Sequence, residues 1–266
     1  MKNKKRKVIY TVITGDYDYL RTPKYVNEDY DYICFTNNKR IKSTFWKVRR
    51  IKNSEGLDDI RLQRYIKICP HIFLPKYELS VYIDANMRII GDFDEYIDKY
   101  MGDSALLCVI HPDRTSVYLE AEECIRLGKC DRAIIDKQMA EYRESGFPDD
   151  LGLIASGVLV RKSMEVAPIM DEWWNEVREK SYRDQLSFNY CCWKHNYKYS
   201  VSDVHVYKNI YWLCPGIHTK DIEVVEDKLI DNMLLAAYRG WYIAQLENEL
   251  KKIKEENCLG DGKEEL

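Results

Sequence analysis

Short apolar runs rich in Val, Ile and Tyr alternate along this chain with longer stretches of helical periodicity. That alternation restricts it to an α/β layer architecture with a mostly parallel central sheet. Strand patterns occupy Val8–Thr14, Tyr32–Thr36, Thr44–Val48, Leu79–Ile83, Ala105–Ile110 and Gly157–Val160. Helix patterns occupy Leu57–Ile68, stopped by Pro70, then Ser116–Leu127 and Ala133–Arg143, and one helix ends past Trp173-Trp174 before another begins near Asp184. No repeat or low-complexity linker divides the 266 residues, so they read as a basic tail over 1–7, one domain over 8–232, and an amphipathic helix with a tail over 233–266. In that last helix Ile243, Leu246, Leu250 and Ile253, spaced three and four apart, make one apolar stripe expected to pack on its own domain.

Charge and composition exclude several classes of function. With 41 Lys+Arg against 44 Asp+Glu the chain lacks the cationic excess of a nucleic-acid-coating protein. Tyr supplies 21 of the aromatics, against 6 Trp and 6 Phe, which favours surfaces that grip polar, ring-shaped ligands such as sugars or nucleosides. Nine cysteines leave one over in any complete disulfide scheme, and no cleavable leader pattern precedes them, so a reducing cytoplasm is the expected compartment. No C-x-x-C pair is present, so the thiols are expected to be small buried hydrophobes and a zinc cluster has no sequence support. No apolar run approaches the roughly 20 residues of a spanning helix. Five cations within Met1–Lys7 nevertheless allow contact with an anionic inner membrane face.

In parallel α/β sheets ligands collect where strands end at their carboxyl edge. Thr14-Gly15-Asp16 and Asp84-Ala85-Asn86 both follow strands and are expected to face one crevice. A carboxylate leaving a buried strand suits a hard cation beside phosphates, which makes Asp84 the first metal candidate and Asn86, with no full charge, a weaker one. Arg61, Arg64, Lys67 and His71 precede that strand. The offsets of three and four from Arg64 to His71 place a cationic ridge on one helical face, able to neutralise a diphosphate, provided the helix continues past Pro70. After the strand ending at Ile110, His111 is a candidate proton acceptor and Arg114 a carboxylate or phosphate fork, with Tyr118 and Glu120 just beyond. Asp184 gains from the positive end of its helix and is placed to accept sugar hydroxyls or act as a base; a plain helix cap explains it equally. G-x-G-x-x-G and P-loop patterns are absent, against dinucleotide and nucleoside triphosphate enzymes.

Taken together, Tyr10-Thr11-Val12-Ile13-Thr14-Gly15, Cys34-Phe35-Thr36, Lys67 with His71 and Pro75, Tyr82-Ile83-Asp84, His111-Pro112-Asp113-Arg114 with Tyr118-Leu119-Glu120-Ala121, Trp173-Trp174-Asn175-Glu176 and Arg183-Asp184-Gln185-Leu186-Ser187-Phe188 carry a resemblance. Over about Val8 to Asn196 the chain resembles the glycosyltransferase-like family formerly labelled domain of unknown function 616, which includes plant pectin and mucilage galacturonosyltransferase-like proteins and bacterial polysaccharide enzymes. The resemblance implies a GT-A fold, a single Rossmann-like domain, with a nucleotide-sugar donor and Mn²⁺ or Mg²⁺. It implies Thr11, Thr14 and Gly15 at the base and ribose, Lys67 near the diphosphate, Asp84 at the metal and Asp184 near the transferred sugar; Arg64, on the same helical face as Lys67, is expected to join it at the diphosphate. Arg114, Tyr118, Glu120, Arg183 and Gln185 are the expected acceptor or sugar contacts, with His111 beside Asp184 as a catalytic candidate. Many GT-A enzymes carry Asp-x-Asp where this chain has Asp84-Ala85-Asn86, and His218 is the candidate third ligand, with His205 behind it.

The expected function is transfer of a sugar from a nucleotide-sugar, a UDP-sugar first, to a glycan or glycolipid in polysaccharide biosynthesis. Two rivals share the crevice. A nucleotide-sugar-binding module, favoured by Asn86, binds without sugar release, and a metal-dependent nucleotidyltransferase releases pyrophosphate from a nucleoside triphosphate.

Overall fold

A computed structural model describes residues 6–216 and 227–260, with side chains described for 6–216 and 235–252. The chain divides into two compact units, Met1–Asp221 and Ile222–Leu266. In the first unit the strands are β1 (Lys7–Ile13), β2 (Tyr30–Thr36), β3 (Lys47–Arg50), β4 (Leu79–Ile83), β5 (Arg88–Ile89), β6 (Leu106–Ile110), β7 (Ile154–Lys162), β8 (Ser200–Ser202) and β9 (Trp212–Leu213). Seven of them form one sheet in the order β3-β2-β1-β4-β7-β6-β8, while β5 pairs with β9 in a separate ribbon. All neighbours in the large sheet are parallel except β7, which runs against both β4 and β6. The α/β class and the mostly parallel sheet are as expected.

The reversed strand matters for function. Because β7 is antiparallel, its first residues lie at the edge where β1, β4 and β6 finish, and Ile83 pairs with Val158 while Ile110 pairs with Ile154. Ser156 and Gly157 therefore join Thr14, Asp84 and His111 along one edge.

Period-two alternation divides the core. On β1, Val8, Tyr10 and Val12 face a cluster built with α1 (Asp59–Ile68), α4 (Val117–Arg126), α5 (Arg132–Glu144), α6 (Ala167–Glu179) and α7 (Gln185–Lys194). Ile9 and Ile13 face the other side with α3 (Phe93–Tyr100) and the residues around Trp212. Trp173 and Trp174 are both buried, as core packing predicts. Two boundaries differ from the sequence reading. The third strand starts at Lys47 because the Ser43 hydroxyl accepts the backbone N–H groups of Phe45 and Trp46 and bends the chain there. Helix α1 stops at Ile68, and Pro70 opens a separate four-residue turn of helix, α2 (Pro70–Phe73).

The eight cysteines with described side chains are all free, and seven are buried, as expected of small hydrophobes. In the second unit, α8 (Asp227–Gly260) spans the expected C-terminal helix, on which Ile243, Leu246 and Leu250 are exposed. Ile253 lies among the side chains left undescribed. No helix among the described residues is long and apolar enough to cross a membrane.

Candidate active site

The floor of the candidate site is a buried ion cluster. Lys67, near the end of α1, is 1% exposed and sends its Nζ to Asp184 Oδ2 at 2.6 Å and to Ser156 Oγ at 3.0 Å. The same Nζ lies 3.9 Å from Asp84 Oδ1, and Arg64 Nε lies 3.4 Å from Asp184 Oδ1. Arg64 and Lys67 fall three residues apart on α1, so both reach the same carboxylate from one helical face. Burial pushes the Asp184 carboxyl up, but Arg64 and Lys67 outweigh it and hold the group well below the usual carboxylate range. Asp184 stands at the cap position of α7, yet its side chain makes no cap hydrogen bond, because both oxygens turn to the cations and to Ser156. A carboxylate held so firmly ionised is a weak base, and it serves to fix Lys67 and Arg64 beside the crevice.

Asp84 stands one residue beyond β4 and keeps 29% of its side chain exposed, so it is the carboxylate of this cluster that reaches the cleft. Tyr82, on β4, donates its hydroxyl to Asp84 Oδ1 at 2.5 Å and accepts from Gln63 Nε2 at 2.7 Å. Gly157 faces it from β7, where a Cβ would come within 2.5 Å of Met87 Cε and 3.1 Å of Asp84 Oδ2. A small, partly open cleft beside Asp84 is lined by Thr11, Leu20, Arg21, Trp46, Ile83 and Met87 among others. Thr11 Oγ1 is buried there with no hydrogen-bond partner among the described residues, a group that calls for a ligand or water.

Lys67 is held in place from below. Arg161 is fully buried on β7; its Nη1 donates to the Lys67 carbonyl at 2.8 Å and its Nη2 to the Tyr10 hydroxyl at 2.6 Å, while Tyr10 donates to the same carbonyl at 2.6 Å. A cation at the C-terminal end of α1 satisfies carbonyls that the helix leaves open and complements its dipole.

Other expected site residues are engaged in structure. Thr14 donates to the Asp59 carbonyl at 2.7 Å, and Gly15 N–H to Asn37 Oδ1 at 2.9 Å. Gly15 adopts φ +57°, and a Cβ would sit 2.8 Å from Asp59 Oδ2, so glycine is required by this turn itself. The cationic ridge is shorter than expected. Arg61 binds Asp58 at 2.8 Å, and His71, displaced by the break at Pro70, binds Asp171 on α6 at 3.0 Å, so neither joins Arg64 and Lys67. Asn86 is buried two residues past Asp84. His218 lies outside the described residues, and His205 accepts the Tyr207 N–H on Nδ1 at 3.2 Å.

The loop after β6 makes a second, closed cluster. His111 Nδ1 accepts the backbone N–H groups of Asp113 and Arg114 at 3.2 and 3.1 Å, and its Nε2 faces Arg114 Nη2 at 3.3 Å and Glu120 Oε2 at 3.8 Å. Burial pulls the His111 pKa below its ordinary value, Glu120 opposing, so the ring is neutral at pH 7. Glu120 is 1% exposed and is bonded by Arg114 Nε, with Cys124 Sγ at 3.4 Å from its other oxygen. Tyr118 turns into the core and donates to the Phe147 carbonyl at 2.9 Å under Arg143. Glu120 and Tyr118 thus present no polar group to an acceptor, and His111 has no free acceptor nitrogen. Gln185 donates to the Ile154 carbonyl at 3.0 Å, whereas Arg183 Nε is buried without a hydrogen bond among the described residues.

Tyr82 falls within the Tyr82-Ile83-Asp84 motif, whereas Ser156, Gln63 and Arg161 belong to none of the motifs read from the sequence. Gly157 opens the sixth expected strand; Ser156, Gln63 and Arg161 carry no local signal, since their partners lie far along the chain.

Comparison with known proteins places this geometry in a family. The family model for the TOD1/MUCI70, glycosyltransferase-like domain matches residues 35–214, more than half of the chain. MUCI70, a probable hexosyltransferase of Arabidopsis thaliana, is 26% identical over 163 residues, which cover 57% of this chain and 28% of that protein. Among solved structures, the apo form of the bifunctional glycosyltransferase WbbM matches 79% of this chain and 40% of its own at 10% identity and a TM-score of 0.44. The glycosyltransferase GlyE of Streptococcus pneumoniae TIGR4 matches 76% of this chain and 46% of its own at 11% identity and a TM-score of 0.40. The parallel sheet with one reversed strand agrees with the GT-A arrangement that the sequence resemblance implies. With the motifs from Lys67 to Phe188 lying inside the matched segment, the chain belongs to the TOD1/MUCI70 glycosyltransferase-like domain family.

Proposed function

We propose that this chain transfers a sugar from a nucleotide-sugar, a UDP-sugar in the first instance, to a glycan or glycolipid acceptor in polysaccharide biosynthesis, working in the cytoplasm at the inner membrane face. The observation that carries the reading is the exposed Asp84 carboxylate poised at the rim of a buried Lys67–Asp184–Arg64 cluster, next to a cleft with the unpartnered Thr11 hydroxyl. In transfer, the bond between the sugar's anomeric carbon and the diphosphate oxygen breaks with its electron pair leaving on the diphosphate. The acceptor oxygen forms the new bond and passes its proton to the departing diphosphate.

The residues fit a hard divalent ion, Mn²⁺ or Mg²⁺. Asp84 offers carboxylate oxygen beside the cleft, and such ions complete their shells with substrate phosphates and water. Asn86 and His218 are the proposed supporting ligands. A bound cation supplies Lewis-acid stabilisation of the departing diphosphate. Lys67 and Arg64 add fixed positive charge behind it, preorganised by Asp184, Ser156 and Arg161. Thr11 is placed to bond the nucleoside. Arg183 remains as a candidate contact to the acceptor.

Donor turnover with Mn²⁺ tests this. Asp84→Ala and Asp184→Asn are each expected to lower kcat/KM by about 10²–10³-fold, the scale of losing one preorganised electrostatic group. Unchanged turnover in both variants rejects the assignment. Nucleotide-sugar binding with no sugar release to any acceptor favours the binding-module reading that Asn86 keeps open.

A further inference from the structure

The junction of α1 and α2 carries a set of donors that the nucleotide-sugar site does not use. Cys69 joins the two helices, Pro70 opens α2, and His71 follows one residue later, so the proline ring fixes how thiol and imidazole are spaced. Across from them, α6 presents Asp171. One ligand atom from each of Cys69, His71 and Asp171 falls within 4.8 Å of the others. His71 Nε2 and Asp171 Oδ1 are 3.0 Å apart, and His71 Nδ1 is buried with no hydrogen-bond partner among the described residues. The two helices are locked together beside the trio by Tyr65 stacked on Trp174 at 4.7 Å.

We propose that Cys69, His71 and Asp171 form a second metal site, for a zinc-type divalent cation, which pins α1 to α6. A thiolate, an imidazole and a carboxylate are the donor types that Zn²⁺ takes, and two anionic ligands balance its charge. Cys69 and His71 close the inner side, while the exposed Asp171 leaves the outer side open to a water as fourth ligand. On binding, the Cys69 S–H bond is replaced by an S–Zn bond and its proton is released to solvent. The hard oxygen site at Asp84, by contrast, stands at the far end of β4 from the carbonyls of Lys67 and Ile68, which Arg161 grips opposite Ser80. The zinc site therefore acts at a distance from donor chemistry, by holding the helix that carries Arg64 and Lys67.

The test titrates chelator-stripped full-length protein with Co²⁺, a coloured stand-in for Zn²⁺, followed by Zn²⁺ in competition. The wild type is expected to develop a sulfur-to-cobalt charge-transfer band saturating near one equivalent, bleached by Zn²⁺, and to gain thermal stability with Zn²⁺. Cys69→Ser abolishes the band. His71→Ala and Asp171→Ala weaken metal binding by about 100-fold or more, beyond what loss of an outer partner costs. Asp171→Ala removes an exposed side chain and leaves the core intact, so it reads the site even if the buried Cys69 variant misfolds. Asp84→Ala leaves band and stoichiometry unchanged. Absence of the band in wild type, its survival in Cys69→Ser, full affinity in Asp171→Ala, or its loss in Asp84→Ala would each overturn the proposal.

Discussion

Two charged clusters sit along the same edge of the sheet, and they are built to opposite ends. Around Lys67 and Asp184, the buried charges are balanced below the surface and one carboxylate, Asp84, projects into the cleft with 29% of its side chain exposed. Around Glu120, every group closes on another: Arg114 and His111 on the carboxylate, Tyr118 on the Phe147 carbonyl, His111 Nδ1 on its own loop. Both contain the residue types of a catalytic site, but only the first leaves polar capacity unspent. Residue chemistry alone does not separate them; what does is whether the hydrogen bonds run outward or return to the protein.

The comparison is broken most severely by removing a buried cation. Lys67→Met leaves Asp184 without its nearest partner, and since stripping one member of a buried pair typically costs about 3–5 kcal/mol, urea unfolding should show a loss of that order. Removing both charges in Lys67→Met/Asp184→Leu should recover at least half of that loss. A single variant within about 1 kcal/mol of wild type would mean the pair is not held as described.

A smaller effect separates structure from chemistry. Glu120→Gln keeps the shape of the closed cluster but weakens its bond to Arg114, which should cost about 1–3 kcal/mol of stability. Donor turnover at a temperature well below unfolding should stay within about threefold of wild type, a change of under 1 kcal/mol in the barrier. A hundredfold loss of turnover in a folded Glu120→Gln protein would instead put the second cluster in the reaction.

The smallest expected effect is in pH. Burial lowers the His111 pKa from its ordinary 6.5, so the folded state resists protonation, and the stability this contributes is present above about pH 6.5 and lost as pH falls below it. The Asp184 pKa is also depressed, and its contribution is lost only as pH falls below the usual carboxylate range near 4. Thermal scans between pH 7.5 and 5 should therefore show Tm falling by about 1–3 °C through the His111 window, with much of the slope gone in His111→Asn. An unaltered slope in that variant would assign the titration elsewhere.

Much of the fold was legible because period-two and helical patterns are local. The edge residues Thr14, Asp84 and His111 follow from strands that end where the apolar run ends. Arg64 and Lys67 were also readable, since three residues on a helix share a face. The direction of β7 was not, because a buried strand looks the same from either end, and with it went Ser156 and Gly157, which reach the site only because that strand is reversed. The break at Pro70 had a visible signal, and it moved His71 from the cationic ridge to Asp171. The closing of Glu120 and Tyr118 had none: their partners Arg114, Cys124 and Phe147 are chosen by packing between α4 and the loops around it.

Calorimetric titration of UDP, with and without Mn²⁺, into the wild type, Asp84→Ala and Glu120→Gln proteins tests the open cluster as the donor site most directly. Binding should be strengthened by Mn²⁺ in the wild type and in Glu120→Gln, and should lose that Mn²⁺ dependence in Asp84→Ala. Equal UDP affinity in all three proteins, indifferent to the cation, would contradict it.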